Sequence, residues 1–165
     1  MAQPVYLKLT ISGNEIQGES SVDTLGRENA IECSSFQCGL TALRDAASGQ
    51  PTGRRQHEPV RVHKRIDQST PLILKALCEK ASVEAEFRFF RRRADKGRSV
   101  EEHFYTVRLW DAHVASVKQI SEGTSARGEP APPPMEEIEF AFQEIEWTYE
   151  TGGVTYKDSR SGEHA

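Results

Sequence analysis

The 165-residue sequence predicts a mainly β protein with a thin core, built from two packed antiparallel sheets or a small β-barrel, with one flanking α-helix. Three observations support this. About eight segments alternate apolar with polar residues, as half-buried strands do. A convincing helix signal occurs only at residues 70–80. The composition, with 36% hydrophobic and 28% charged residues, suits a thin sheet core better than a thick helical one.

The first strand is predicted at Val5–Ile11, where every second side chain is apolar and one face is therefore buried. A second strand is predicted from Ala30 to Leu40. Its alternation is poor, so the sequence leaves open which of its faces points to the core.

Residues 44–58 predict a long exposed loop. They contain Ser48-Gly49-Gln50-Pro51-Thr52-Gly53 and few apolar side chains. Loops longer than about 12–15 residues in a compact domain are usually functional or disordered.

A short strand at 60–65, with a basic outer face, precedes the helix. Thr70 is the predicted N-cap, and Pro71 occupies the first helical position, where its missing N–H costs nothing. One apolar stripe is predicted, formed by Leu72, Ile73, Ala76 and Leu77.

The rest of the chain predicts further strands and two polar connections. Strands are expected at 83–89, 104–110, 114–120, 138–149 and 154–156. A polar turn is expected at Arg91–Gly97, and an exposed loop at 121–134 that ends in Pro132-Pro133-Pro134. The apolar alternation changes phase near Gln143-Glu144, which predicts a β-bulge. We expect one domain over residues 1–157 and a flexible tail over 158–165.

Composition and motifs argue against several classes of function. The net charge of −4 does not favour nucleic acid, and no apolar run approaches the roughly 20 residues of a membrane-spanning helix. The three cysteines are predicted to be reduced thiols. No spacing indicates a metal site, a cofactor or a catalytic motif, so we expect no cofactor and no enzyme. Without a signal-peptide pattern, the chain is expected to fold in the cytoplasm.

Four segments, in order along the chain, resemble the Hcp (haemolysin-coregulated protein) family of type VI secretion tube proteins. The chain departs from the family pattern in a longer, more charged segment at 91–102 and in the proline-rich loop at 130–134. The segments are Tyr6-Leu7-Lys8-Leu9 with Gly18-Glu19-Ser20, then Gly53-Arg54-Arg55-Gln56-His57-Glu58-Pro59, then Lys64 through Leu72, and finally Glu144-Ile145-Glu146-Trp147-Thr148-Tyr149.

The resemblance implies a small β-barrel with a flanking helix that assembles as a hexameric ring. Rings would stack into a tube inside a contractile sheath, capped by a spike trimer, and leave the cell with effector proteins in the lumen. In the 44–58 loop, ring stacking is expected to involve Gly49, Gly53, Arg54 and Arg55. Gln37 is the candidate for lumen or effector contact, against the alternative of an ordinary exposed strand residue.

Two other functions remain open at this point. The first is a monomeric β-barrel that binds a small ligand in its interior. The second is a single-strand nucleic-acid binder that uses Arg88 and Arg91–Arg93 beside the phenylalanines at 87, 89 and 90. For that segment we favour a simpler interpretation, in which charges protect the end of an aromatic strand from aggregation.

Overall fold

The structure, a computed structural model, describes residues 3–123 and 128–160, apart from the side chain of Arg54. In these ranges it contains eleven strands and one α-helix. The strands are β1 Val5–Ile11, β2 Asn14–Ile16, β3 Ile31–Gln37, β4 Leu40–Arg44, β5 Pro51–His57, β6 Val60–Arg65, β7 Val83–Asp95, β8 Arg98–Ile120, β9 Met135–Ala141, β10 Glu144–Tyr149 and β11 Val154–Ser159. The helix, α1, spans Thr70–Glu79.

Nine of the strands form one antiparallel sheet that closes on itself. The order is β11-β10-β8-β7-β1-β3-β6-β9, with β2 on β1, and β9 pairs again with β8. The strands β8, β7, β1, β3, β6 and β9 therefore make a closed six-stranded barrel. β4 and β5 form a separate two-stranded sheet. The predicted fold class, mainly β with two sheets, a barrel and one flanking helix, is confirmed.

Side chains fill the interior of the barrel. Every barrel strand contributes residues that are less than 5% exposed, in a single cluster that also takes in Ile73 and Ala76 of α1. The largest are Leu7, Leu9, Ile31, Phe87, Leu109, Ile138, Phe140 and Phe142. A barrel of so few strands has room for side chains only, which is why the core is solid.

The helix begins one residue earlier than the sequence indicates. Ser69 is the N-cap, Thr70 is the first helical residue and Pro71 follows. Ile73 and Ala76 are buried in the core, whereas Leu72 is 43% exposed and is not part of the buried stripe. Leu77 is partly buried and packs against the core, so the apolar stripe is narrower than predicted by Leu72 alone.

The two strands predicted at 104–110 and 114–120 are one strand of 23 residues, β8. Its N-terminal part pairs with β7 as far as Asp95 opposite Arg98, so the predicted polar turn at Arg91–Gly97 is wrong. Only Lys96 and Gly97 turn, both with positive φ. The result is a long charged hairpin.

Arg27 holds the base of this hairpin. Its guanidinium is 1% exposed and lies 4.3 Å from the ring centre of Phe90, and it donates to both carboxylate oxygens of Glu101 at 2.9 and 2.7 Å. A paired cation stacked on an aromatic ring is well stabilised at such depth. Arg27 therefore attaches the loop before β3 to the β7–β8 hairpin.

The phase change predicted near Gln143 is present, but it does not come from one inserted residue. Leu109 of β8 lies opposite Ile145, and Val114 lies opposite Phe140, so the pairing keeps one register across the break. At the same place, both strands change which alternate residues face the core. On β8 this occurs at Asp111, which has φ 48°, and its carbonyl accepts a hydrogen bond from the Gln143 N–H at 3.2 Å.

Candidate assembly interface

A solvent-exposed β-hairpin occupies most of the segment predicted as a long loop. β4 pairs with β5, so the predicted loop is wrong for residues 51–57 and the predicted strand at 30–40 ends at Gln37. All five residues of β4 are exposed, including Leu40 at 46% and Leu43 at 41%. Because both faces of the hairpin meet solvent, its sequence lacks the alternation that marks a half-buried strand.

Two glycines shape the hairpin. Gly53 has φ +71° inside β5, where the register shifts between Ala42 and Arg44, so it forms a bulge. Gly49, with φ +68°, closes the tip, and its N–H donates to the Asp45 carbonyl at 2.9 Å. Residues with a side chain rarely adopt this conformation, so the hairpin depends on glycine at both places.

The base of the hairpin is fixed to the last strand by a buried carboxylate. Asp158 is 5% exposed and accepts hydrogen bonds from Arg55 Nε at 2.6 Å and from Arg55 Nη2. His57 Nε2 lies 2.7 Å from Oδ2 of the same carboxylate. The hydrogen bonds from Arg55, and then that from His57, lower the pKa of Asp158 to about 2. The same contact raises the pKa of Arg55. The carboxylate is therefore ionised at neutral pH.

Aromatic contacts reinforce this attachment. The His57 ring is stacked on Trp147 at 6.2 Å and meets Phe142 edge-on at 5.5 Å. Trp147 is in turn stacked on Tyr156 at 6.3 Å. Arg160 Nη2 donates to the His57 carbonyl at 3.3 Å. The base of the exposed hairpin is thus held by aromatic contacts and by this hydrogen bond, in addition to the Asp158 carboxylate.

The residues predicted to mediate ring stacking all belong to this hairpin, but they do different things. Gly49 and Gly53 shape it, and Arg55 points back to the Asp158 carboxylate. The side chain of Arg54 lies outside the described part of the chain. Gln37 is exposed at the end of β3, opposite Arg61 of β6. Whether these residues contact another chain stays a prediction.

His57 and Asp158 are the important residues that the sequence did not indicate. Asp158 was assigned to the flexible tail, yet it and Ser159 belong to β11, and residues 161–165 lie outside the described ranges. These partners are about a hundred positions apart, so no local pattern connects them.

A second buried charge cluster connects α1 to the barrel. Lys64 and Glu136 have fully buried side chains and form an ion pair of 2.6 Å, and Lys64 Nζ also donates to Asp67 at 2.9 Å. The Thr70 hydroxyl donates to the same Glu136 oxygen at 2.8 Å. Paired and hydrogen-bonded charges of this kind fix a junction in one geometry.

A hydroxyl, an imidazole and a carboxylate also line up across three strands. Ser35 Oγ lies 2.7 Å from His63 Nδ1, and His63 Nε2 lies 2.8 Å from Glu137. The series follows the register of β3, β6 and β9 on the outer face of the barrel, and Arg61 shares the Glu137 carboxylate at 3.7 Å. The half-exposed imidazole stands on an open strand face, so this is a cross-strand polar ladder.

No three His, Cys, Asp or Glu side chains within 3–123 and 128–160 are grouped so that they would hold a metal ion. The helix that these ranges contain is too short and too polar to cross a bilayer.

Known proteins share this sequence pattern and fold. A family model described as "Type VI secretion system effector, Hcp" matches residues 6–149. The "Major exported protein" of Pseudomonas aeruginosa is 30% identical over 167 residues, which cover 96% of this chain and 95% of that protein.

Solved structures extend the similarity to three dimensions. A double mutant of Hcp1 from the E. coli EAEC 042 pathovar is 31% identical, with a TM-score of 0.78 over 96% of this chain and 99% of that one. The secreted protein Hcp3 from P. aeruginosa is 22% identical, with a TM-score of 0.71 over 96% and 98% of the two chains, and shares the fold.

Proposed function

The chain belongs to the Hcp family of type VI secretion proteins, and from this we propose that it is the subunit of a hexameric ring that stacks into the secretion tube. Members of this family assemble into rings and tubes. In this role the chain acts as a structural and transport protein, without catalysis. Effector proteins travel in or are stabilised by the lumen, and the sheath and the spike trimer are its partners during assembly and release.

The observation that carries this proposal is the rigidly mounted hairpin on a closed barrel. The barrel has a filled core, so the fold is complete without a ligand. The hairpin buries none of the five residues of β4, yet Asp158, Arg55 and His57 hold its base. An exposed element whose base is held in this way is suited to contact with another chain. We assign the tip and β4 to contact between stacked rings.

A ligand-binding monomer agrees less well with the structure. The six-stranded barrel is packed with large apolar side chains, among them Phe87 and Phe140, both 0% exposed. Interiors of such narrow barrels hold side chains and leave no room for a ligand.

A single-strand nucleic-acid binder is equally disfavoured. Phe87 and Phe90 are buried, so they offer no stacking surface for bases. Arg88 donates to Glu86, and Arg91 donates to Glu102, both at 2.6 Å. These arginines are already neutralised by neighbouring carboxylates and would add little to the binding of phosphate groups.

Light scattering and negative-stain electron microscopy of the purified protein test the proposal. From the hexameric ring that the family resemblance implies, we expect the mass of about six chains and images of closed rings with a central hole. A monodisperse single chain at high concentration would contradict it.

The stacking role has its own test. Replacing residues 45–50 with Asn-Gly removes the hairpin tip but retains the pairing of Arg44 with Pro51. We expect single rings of unchanged mass and few or no tubes by electron microscopy. As a control, Lys96→Asn places the same Asn-Gly turn at the tip of the β7–β8 hairpin without shortening it. Unchanged tube yield from the shortened hairpin would exclude this stacking contact.

A further inference from the structure

The connection between β8 and β9 is a proline-rich loop on the outside of the barrel. Ile120, the last residue of β8, lies opposite Met135, the first residue of β9, so strand pairing closes the base of the loop. The Ile66 N–H also donates to the Pro134 carbonyl at 3.2 Å. Residues 121–123 and 128–134 are all exposed and contain neither helix nor strand. The barrel therefore carries this loop without using these residues in its core.

Four of the five residues from Pro130 to Pro134 are proline. A proline ring fixes φ at about −65° and leaves no N–H to donate, so the segment cannot join a sheet. A residue that precedes a proline is restricted to extended backbone, and Glu129 and three residues of the segment precede one. These two constraints favour the polyproline II helix, which the segment can adopt without a partner.

The spacing of the prolines gives this helix one proline-bearing side that is open to solvent. A polyproline II helix has three residues per turn, so Pro130 and Pro133 share one side and Pro132 lies on another. All three are exposed, whereas the carbonyl of Pro134 is bonded to the barrel. A stiff segment that is held at one end loses little conformational entropy when it binds.

Neither a spacer role nor the family pattern accounts for this loop. A rigid spacer separates the elements that it joins, but Ile120 and Met135 are paired neighbours, so a two-residue turn could join them. Hairpin connections usually have about 2–5 residues, and a loop as long as 121–134 is usually functional or disordered. The chain also departs from the family pattern at 130–134, so assembly of the family into rings does not explain the prolines.

We propose that Pro130–Pro134 is a docking segment for a partner protein whose binding groove is lined by aromatic rings. Grooves of this kind bind exposed polyproline II segments that have prolines three positions apart. The rings of Pro130 and Pro133 enter the groove, and Pro132 faces away from it. This inference goes beyond the proposed tube subunit and does not depend on the ring, because each chain carries a complete segment.

A panel of purified SH3 and WW domains, labelled with 15N, provides probes with such grooves. On addition of the unlabelled full chain, we expect the NMR signals of the groove residues to shift or broaden for at least one domain. Pro133→Ala removes two ring carbons from the docking side and is expected to weaken binding about tenfold. Pro132→Ala removes the same atoms from another side and is the matched control, expected to bind as wild type does.

Replacement of the whole loop provides the second test. Asn-Gly in place of residues 121–134 joins the paired ends of β8 and β9 by a short turn. We expect no signal changes with this variant, and circular dichroism checks that its barrel is folded. The inference is overturned if no domain of the panel binds the wild-type chain, if the two alanine variants lose binding equally, or if binding survives the loop replacement. None of these results bears on the ring, which light scattering tests separately.

Discussion

At the scale of single residues, Asp158 has the largest effect on how the chain holds its hairpin. It lies near the C-terminal end, yet it receives hydrogen bonds from Arg55 and lies within hydrogen-bond distance of His57 on β5. Its carboxylate is buried and remains charged because Arg55 compensates the charge. The attachment of the hairpin therefore depends on the ionisation of one side chain.

We expect this attachment to weaken in acid. The folded-state pKa of Asp158, about 2, is below its ordinary value of 3.8, so as pH falls the unfolded chain binds the proton first. The contribution to stability is complete above about pH 4 and is lost as pH falls through 2, on the order of 2 kcal/mol. Urea unfolding at fixed protein concentration should show Asp158→Asn destabilised at pH 7, with the difference from wild type shrinking below pH 4. A constant difference would be incompatible with this account.

The buried pair of Lys64 and Glu136 gives a second prediction at this scale. Lys64→Met leaves the Glu136 carboxylate uncompensated in the core and is expected to cost about 3–5 kcal/mol of unfolding free energy. Lys64→Met combined with Glu136→Leu removes both charges and should recover most of this loss. The measurement is chemical denaturation of the three proteins. If the double variant is no more stable than the single one, the pair does not act as a unit.

At the scale of elements, the sequence predicted those strands that have one buried face. The predictions of β1 and of the first half of β7 are correct, because the barrel core takes every second apolar side chain, among them Leu7, Leu9 and Phe87. β5 was predicted as a loop. Most of its residues are polar, only His57 at its end is buried among its described side chains, and its partner β4 is exposed along its whole length. Only the hydrogen bonds to β4 make β5 a strand, and the local sequence does not indicate that pairing.

Gly53 tests how far the hairpin depends on its bulge. Gly53→Ala has open space for the methyl group, but φ +71° is unfavourable for alanine, so we expect a loss on the order of 1 kcal/mol. Hydrogen exchange should become faster at the β4–β5 amides and stay unchanged in β1 and β7. Gly53→Asn, a residue that tolerates this conformation, is the control and should behave more like wild type. Equal exchange in the two variants would show that the bulge is not strained.

At the scale of the whole molecule, closure of the barrel removes most free strand edges and concentrates the remaining ones. In the ranges that the structure covers, open edges remain on β11, on β2, on the β4–β5 hairpin and on the outer part of the β7–β8 hairpin. Exposed apolar side chains accompany each of these regions, among them Val154, Leu72 and Leu40. A closed barrel whose open strand edges and exposed apolar side chains lie at its periphery is well suited to ordered assembly.

Assembly into rings should make the stability of the protein depend on its concentration. Binding that occurs only between folded chains raises the apparent Tm by mass action. We expect the Tm of the wild-type protein to rise over a hundredfold increase in concentration. Scanning calorimetry or fluorescence at two concentrations measures this. A Tm independent of concentration would mean that the ring adds nothing to folding stability.

The sequence by itself determined the mainly β fold class, the position of the helix, the phase change near Gln143 and the family resemblance. These follow from local periodicity and from the order of segments, which the chain carries without folding. Tertiary structure alone decided that β9 closes on β8, that 51–57 forms a strand, and that Asp158 holds the hairpin through Arg55 and His57. Such contacts join positions up to about a hundred residues apart, and their energy comes from burial and pairing that exist only once the sheet has closed.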